Sequence, residues 1–137
     1  MTAQVVTITD DSQSYKYAAP LLKIKWAWVT DSANGAIVDS TTAGEVNKTS
    51  VKYSGVIERL ITNPAASTAD PTDNYDVTIL DDDGYDVLMG GGLNRDTANT
   101  EQVLASSLGC CLNTYLRLNV GTAGNSKGGE VILYIRP

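Results

Sequence analysis

Hydrophobic and polar residues alternate along several stretches of this chain with a period of two, the spacing that sends successive side chains to opposite faces of a sheet. The organising stretch is 74–89, NYDVTILDDDGYDVLM, in which Tyr75, Val77 and Ile79 alternate with Asp76 and Thr78, and Val87 and Met89 resume the pattern. Between them Asp81, Asp82, Asp83 and Gly84 form a reversal, because Asp bonds its own backbone and Gly takes positive φ. The pattern predicts two strands folded back on each other at an acidic turn. Residues 4–9, QVVTIT, predict a first strand with Val5 and Thr7 on one side and Val6 and Ile8 on the other. In 23–30, KIKWAWVT, Ile24, Trp26 and Trp28 share one face while Lys23, Lys25 and Ala27 share the other. The most regular alternation is 112–120, where Leu112, Thr114, Leu116, Leu118 and Val120 face a core and Asn113, Tyr115, Arg117 and Asn119 face away. Residues 130–136, EVILYIR, are apolar on both faces, as in a central or interface-covered strand.

The remaining segments fit between these. Residues 51–62, VKYSGVIERLIT, suit a helix at Val56, Ile57, Leu60 and Ile61, yet the β-branched residues and the abrupt Asn63-Pro64 stop favour a strand, with Gly55 hosting a bulge. Residues 36–39 predict a short partner strand, 65–73 an exposed loop, and 121–129 a hairpin loop. Asp96 or Thr97 is placed to cap a short helix over 98–108, with Glu101 in its first turns and Gly109 as its stop. About seven strands with closely spaced turns and one brief helix predict an all-β antiparallel sandwich, with a jelly-roll-like arrangement as one form of it, over a barrel. No internal repeat or linker divides the chain. It reads as one domain, with an N-terminal strand and candidate arm at 1–22 and the sandwich at 23–137.

Composition narrows the function classes. At 137 residues the chain is long enough to bury a core without a covalent staple. It carries no basic, apolar leader at its N-terminus and no apolar run of bilayer length, so a soluble protein made in a cytoplasm is expected, with no membrane partner. The net charge of −6 and pI near 4.4 disfavour contact with phosphate and hence with nucleic acid. The two cysteines, Cys110 and Cys111, are adjacent; a vicinal disulfide is strained, so both are expected as free thiols.

Candidate chemistry is sparse. With no histidine the chain lacks the commonest nitrogen ligand for zinc and the usual base for a serine or cysteine nucleophile, and no Ser-x-x-Lys pair occurs. Asp81, Asp82, Asp83 and Asp86 offer carboxylates to calcium, but their spacing is not that of the helix-loop-helix calcium loop, and solvated acids in a turn are the simpler reading. Gly90, Gly91 and Gly92 lack the Lys-Ser/Thr pair of a phosphate loop and read as a turn. Arg95 and Asp96 read as an ion pair or a cap. Trp26 and Trp28 read first as core, with a sugar platform or oligomer contact as the alternative. No catalytic residue, metal site or cofactor is expected.

Beyond the residue chemistry, ITNPAAST, PTDNYDVTILDDDGYDVLMGGGLNRDTANTEQV and LRLNVGTAGNSKGGEVILYI resemble small structural proteins from the virion-assembly region of tailed bacteriophages, chiefly at 71–76 and 94–99. The resemblance spans roughly the C-terminal two-thirds of the chain and includes no catalytic motif. It implies a virion component. The expected role within that class is an auxiliary capsid (decoration or cement) protein that clamps the major capsid protein as a homotrimer, with Trp26, Trp28 and Tyr134 as candidate interface anchors where exposed. A neck, tail or head-fibre component is the alternative within virions, and a carbohydrate-binding module the alternative from another class.

Overall fold

The computed structural model describes residues 3–10, 21–39 and 46–137, so most of the N-terminal arm expected at 1–22 lies outside the described residues. Eight strands follow in chain order: β1 (Val5–Asp10), β2 (Leu22–Val29), β3 (Tyr53–Pro64), β4 (Asp76–Leu80), β5 (Glu101–Leu104), β6 (Cys110–Thr114), β7 (Arg117–Gly121) and β8 (Gly128–Arg136). The larger sheet has the order β1-β2-β8-β3-β5, with β6 pairing the other end of β3, and the smaller sheet pairs β4 with β7. All these pairings are antiparallel. The two sheets pack face to face as an all-β sandwich.

The core follows directly from the alternation. Ile24, Trp26 and Trp28 of β2 and Val131, Leu133 and Ile135 of β8 line the inner face of the larger sheet, all at 2% exposure or less. Val77 and Ile79 of β4 and Leu118 and Val120 of β7 cover them from the smaller sheet. The Trp28 ring lies 5.8 Å from that of Tyr75, tilted by 49°. Trp26 Nε1 donates to Asn47 O at 3.1 Å, which resolves the one polar demand of a buried indole. Asn47 is itself buried and its Nδ2 donates to Leu118 O at 2.9 Å, while Thr49 N donates to Leu116 O at 3.0 Å. Through these bonds, and the bridges of Ile37 to Val120 and Lys48 to Arg117, two loop segments extend the small sheet beyond β7.

The expected strands at 4–9, 23–30, 51–62 and 130–136 all form, and β8 is central, between β2 and β3. Gly55 sits at a register shift between β3 and β6 with φ of +146°, and a Cβ there would stand 2.3 Å from Arg136 O. The bulge is therefore reserved for glycine. The short strand at 36–39 is reduced to the single bridge at Ile37.

Four expectations are corrected. The reversal at Asp81–Gly84 occurs, but its second arm forms no strand; after a single bridge from Leu80 to Asp86 the chain enters turns, and β4 takes β7 as its ladder partner. Residues 98–108 form β5 and a 3-10 turn at Ala105–Ser107 in place of a helix, because pairing of 101–104 with Arg59 to Thr62 of β3 outweighs the local capping signal. The alternation at 112–120 is one pattern spread over two strands in different sheets: a positive φ at Asn113 breaks it, so Leu116, Leu118 and Val120 are buried while Leu112 is 83% exposed. Residues 121–129 cross between the sheets and close no hairpin, since β7 and β8 belong to different sheets.

Leucines at 112 and 118 thus make a paired test. Leu118→Ala is expected to cost about 2–5 kcal/mol in urea unfolding and Leu112→Ala less than about 0.5 kcal/mol, although both occupy equivalent places in the alternation.

Candidate functional site

The two stretches that carry the virion resemblance, 71–76 and 94–99, fold against each other at one side of the sandwich. Asn74 N donates to Arg95 O at 3.0 Å and Arg95 N returns to Tyr75 O at 2.7 Å. Asp76 Oδ1 accepts from Asn94 N at 2.9 Å and Asp73 Oδ1 from Thr97 N at 3.2 Å, and the Thr97 hydroxyl donates to Pro71 O. Asp96 accepts from the backbone of Ala98 and Asn99, and the Ala98 bond in particular holds its carboxyl below the usual carboxylate range. Arg95 faces Glu101 at 3.8 Å. Arg95 and Asp96 therefore close a loop clasp, each turned to its own partner.

The acidic turn is built in the same way. Asp81 Oδ1 accepts from Asp83 N and Tyr85 N, at 3.0 and 2.9 Å. Asp82 pairs with Arg117 at 2.7 Å and accepts from Tyr115 N, and the Arg117 guanidinium foremost holds its carboxyl below the ordinary value. Asp86 is the keystone: Oδ1 accepts from Ile79 N at 3.1 Å and Leu88 N at 3.0 Å, and Oδ2 from Gly90 N at 2.9 Å. One carboxylate thus supplies the acceptors that a second strand would have provided. The four acids do not converge; among the described residues no group of three His, Cys, Asp or Glu is arranged to hold a metal ion. Gly90 to Gly92 form a tight turn in which a Cβ at Gly92 would lie 2.2 Å from Val77 O.

Of the three aromatic anchor candidates, Trp26 and Trp28 are core residues, 0% and 2% exposed, so neither presents a platform to sugar or partner. Tyr134 lies on the outer face of the larger sheet, half-buried, with the Arg59 guanidinium 5.5 Å from its ring centroid. That face runs through Ala27, Ile132, Tyr134 and Ile61, with Lys25 and Glu130 paired at 3.4 Å and Arg136 paired with Glu58. Among the described residues it carries four Lys and Arg (Lys23, Lys25, Arg59, Arg136) and two Glu (Glu58, Glu130). It is a flat, mildly basic, partly apolar surface on an acidic chain. The sequence signal was the doubly apolar pattern of 130–136.

Both cysteines are free, Cys110 exposed and Cys111 buried. Burial pushes the Cys111 thiol up to about 11. Tyr53, whose hydroxyl donates to Asp10 at 2.6 Å, and Tyr75 are likewise raised, chiefly by burial. No helix among the described residues is long and apolar enough to cross a membrane. No family model, curated protein or solved structure matches this chain.

Asp86→Ala is expected to lower stability by roughly 2–3 kcal/mol, because three backbone donors lose a charged acceptor, whereas Asp83→Ala stays within about 0.5 kcal/mol; thermal melts of the two variants check this. Alkali should destabilise the fold. The unfolded Cys111 thiol ionises near 9 while the folded one resists to about 11, so its contribution is intact below pH 9 and lost as pH rises through 11. The fall in melting temperature between pH 9 and 10, where the unfolded thiol titrates ahead of the unfolded tyrosines, should be smaller in Cys111→Ala.

Proposed function

We propose that this protein is a structural component of a tailed-bacteriophage virion, an auxiliary capsid (decoration or cement) protein that binds the major capsid protein on the outside of the shell and stabilises it as a homo-oligomer. It is made in the host cytoplasm and ends in the particle, and it carries out no catalysis. The observation that carries this reading is the clasp. The residues that give the chain its resemblance to virion proteins are spent on locking loops 71–76 and 94–99 together, with each carboxylate directed at backbone or arginine. Residues used in this way hold a shape, and the shape they hold is a slab with a broad, flat outer face. That face supports docking on a shell, since partly buried Ile61, Ile132 and Tyr134 offer apolar area and Lys23 and Arg59 add positive charge toward an acidic partner, while Lys25 and Arg136 are paired with Glu130 and Glu58. The burial of Trp26 and Trp28 removes the motive for a carbohydrate-binding module.

Cryo-microscopy of particles carrying the protein tests the reading. Density for the sandwich over the shell at hundreds of copies is expected, and Ile132→Asp should deplete it. A dozen or fewer copies at the neck or tail would transfer the protein to the alternative virion role, and absence from the particle would end the proposal.

A further inference from the structure

The charge of this acidic chain is unevenly placed. Neither residues 87–94 nor residues 102–116 contain a single Asp, Glu, Lys or Arg, and the fold brings these two neutral segments together. Gly109 N donates to Val87 O at 2.9 Å, a Cβ at Gly109 would lie 3.2 Å from the Met89 sulfur, and one at Gly91 would lie 3.0 Å from Leu108. On the adjoining strands Cys110 of β6 pairs with Val56 of β3, and Leu112 lies on the same side of β6 as Cys110. The result is a continuous side of the molecule on which large apolar residues stand in water: Leu112 is 83% exposed, Met89 73%, Leu104 67% and Val56 49%. In the sheet Leu104 pairs with Arg59 and Val56 with Arg136, so this side adjoins the outer face of the larger sheet; Arg136 is itself paired with Glu58.

We infer that this neutral side is a self-association surface, and that its occupant is the same side of a second copy of the chain. Two arguments select a second copy. Chains of net −6 repel each other, and two segments without a charge of their own, bordered by Arg59 and the Arg136–Glu58 pair, are where two copies meet with little like-charge penalty. The exposed parts of the four apolar residues amount to roughly 500 Å², a large patch for a monomer and more than half of the roughly 800 Å² that each partner brings to a standard interface. Depletion of charge and an exposed Met match the composition of an interface core. Cys110, exposed at the centre of the patch, becomes a native reporter of contact.

The inference deepens the homo-oligomer part of the reading above and fails separately from it. A chain that stays monomeric removes this contact and leaves shell binding open, whereas a particle lacking the protein leaves the contact standing. Sedimentation velocity of the full chain from sub-micromolar to high-micromolar concentration should show a discrete oligomer that persists in high salt. Leu112→Asp should weaken it by at least about a hundredfold with unchanged circular dichroism, while Val5→Asp, at the far edge of the sheet, should not. Maleimide labelling of Cys110 should slow on association and regain its monomer rate in Leu112→Asp. A wild-type chain that remains monomeric overturns the inference. So does an oligomer that survives Leu112→Asp, or one in which Cys110 reacts as fast as in the monomer.

Discussion

The structure depends on the burial of one apolar stripe, Ile24, Trp26 and Trp28, beneath a sheet too small to stand alone. A two-stranded pair such as β4-β7 is marginal in water without a surface to pack on. The tryptophan face supplies that surface, and Val77, Ile79, Leu118 and Val120 pack into it with no more than 1% of their surface left exposed. Each such side chain contributes roughly 1.5–3 kcal/mol on burial, set against the entropy of ordering two layers of chain. The tryptophan strand is also fixed from both sides, by β1 and by β8, so the stripe cannot slip register without turning its lysines inward.

The loops follow from the narrowness of the second sheet. With few strands to satisfy the backbone on that side, side chains take over. Asp86, Asp81, Asp96, Asp76 and Asp73 accept from amides that a wider sheet would have paired, and in the buried seam beside β7 Thr49 Oγ1 accepts from Leu116 N while Asn47 Nδ2 donates to Leu118 O. The acidic composition is therefore in part architectural. It leaves the outer face of the larger sheet, and the uncharged segments that adjoin it along β6, relatively free of negative charge, and apolar area is exposed there.

Much of this was legible in the sequence. Period-two alternation identified the inner residues of β2 and β7, and the doubly apolar 130–136 read as a central or interface-covered strand. Gly55 declared its bulge. The failures share a cause, which is that alternation records which side chains face inward but not which sheet they belong to. Leu112 and Leu118 lie in one unbroken pattern, and only the positive φ at Asn113 separates an exposed edge from a core. Asp96 was a capping residue in the sequence and an Asx turn in the fold, because long-range pairing of 101–104 with β3 competes with helix formation and local signals do not record it. The uncharged side was equally hard to see. Its two segments are separated by 95–101, which holds Arg95, Asp96 and Glu101, and they become a surface only once Gly109 meets Val87.

The central claim is that both tryptophans are sealed between two layers. The chain has only these two, so its fluorescence reports on them alone. The account predicts blue-shifted native emission that iodide does not quench, moving to the red with full quenching in a single transition as denaturant is added. Native emission at the wavelength of solvated indole, quenched by iodide before unfolding begins, would contradict it.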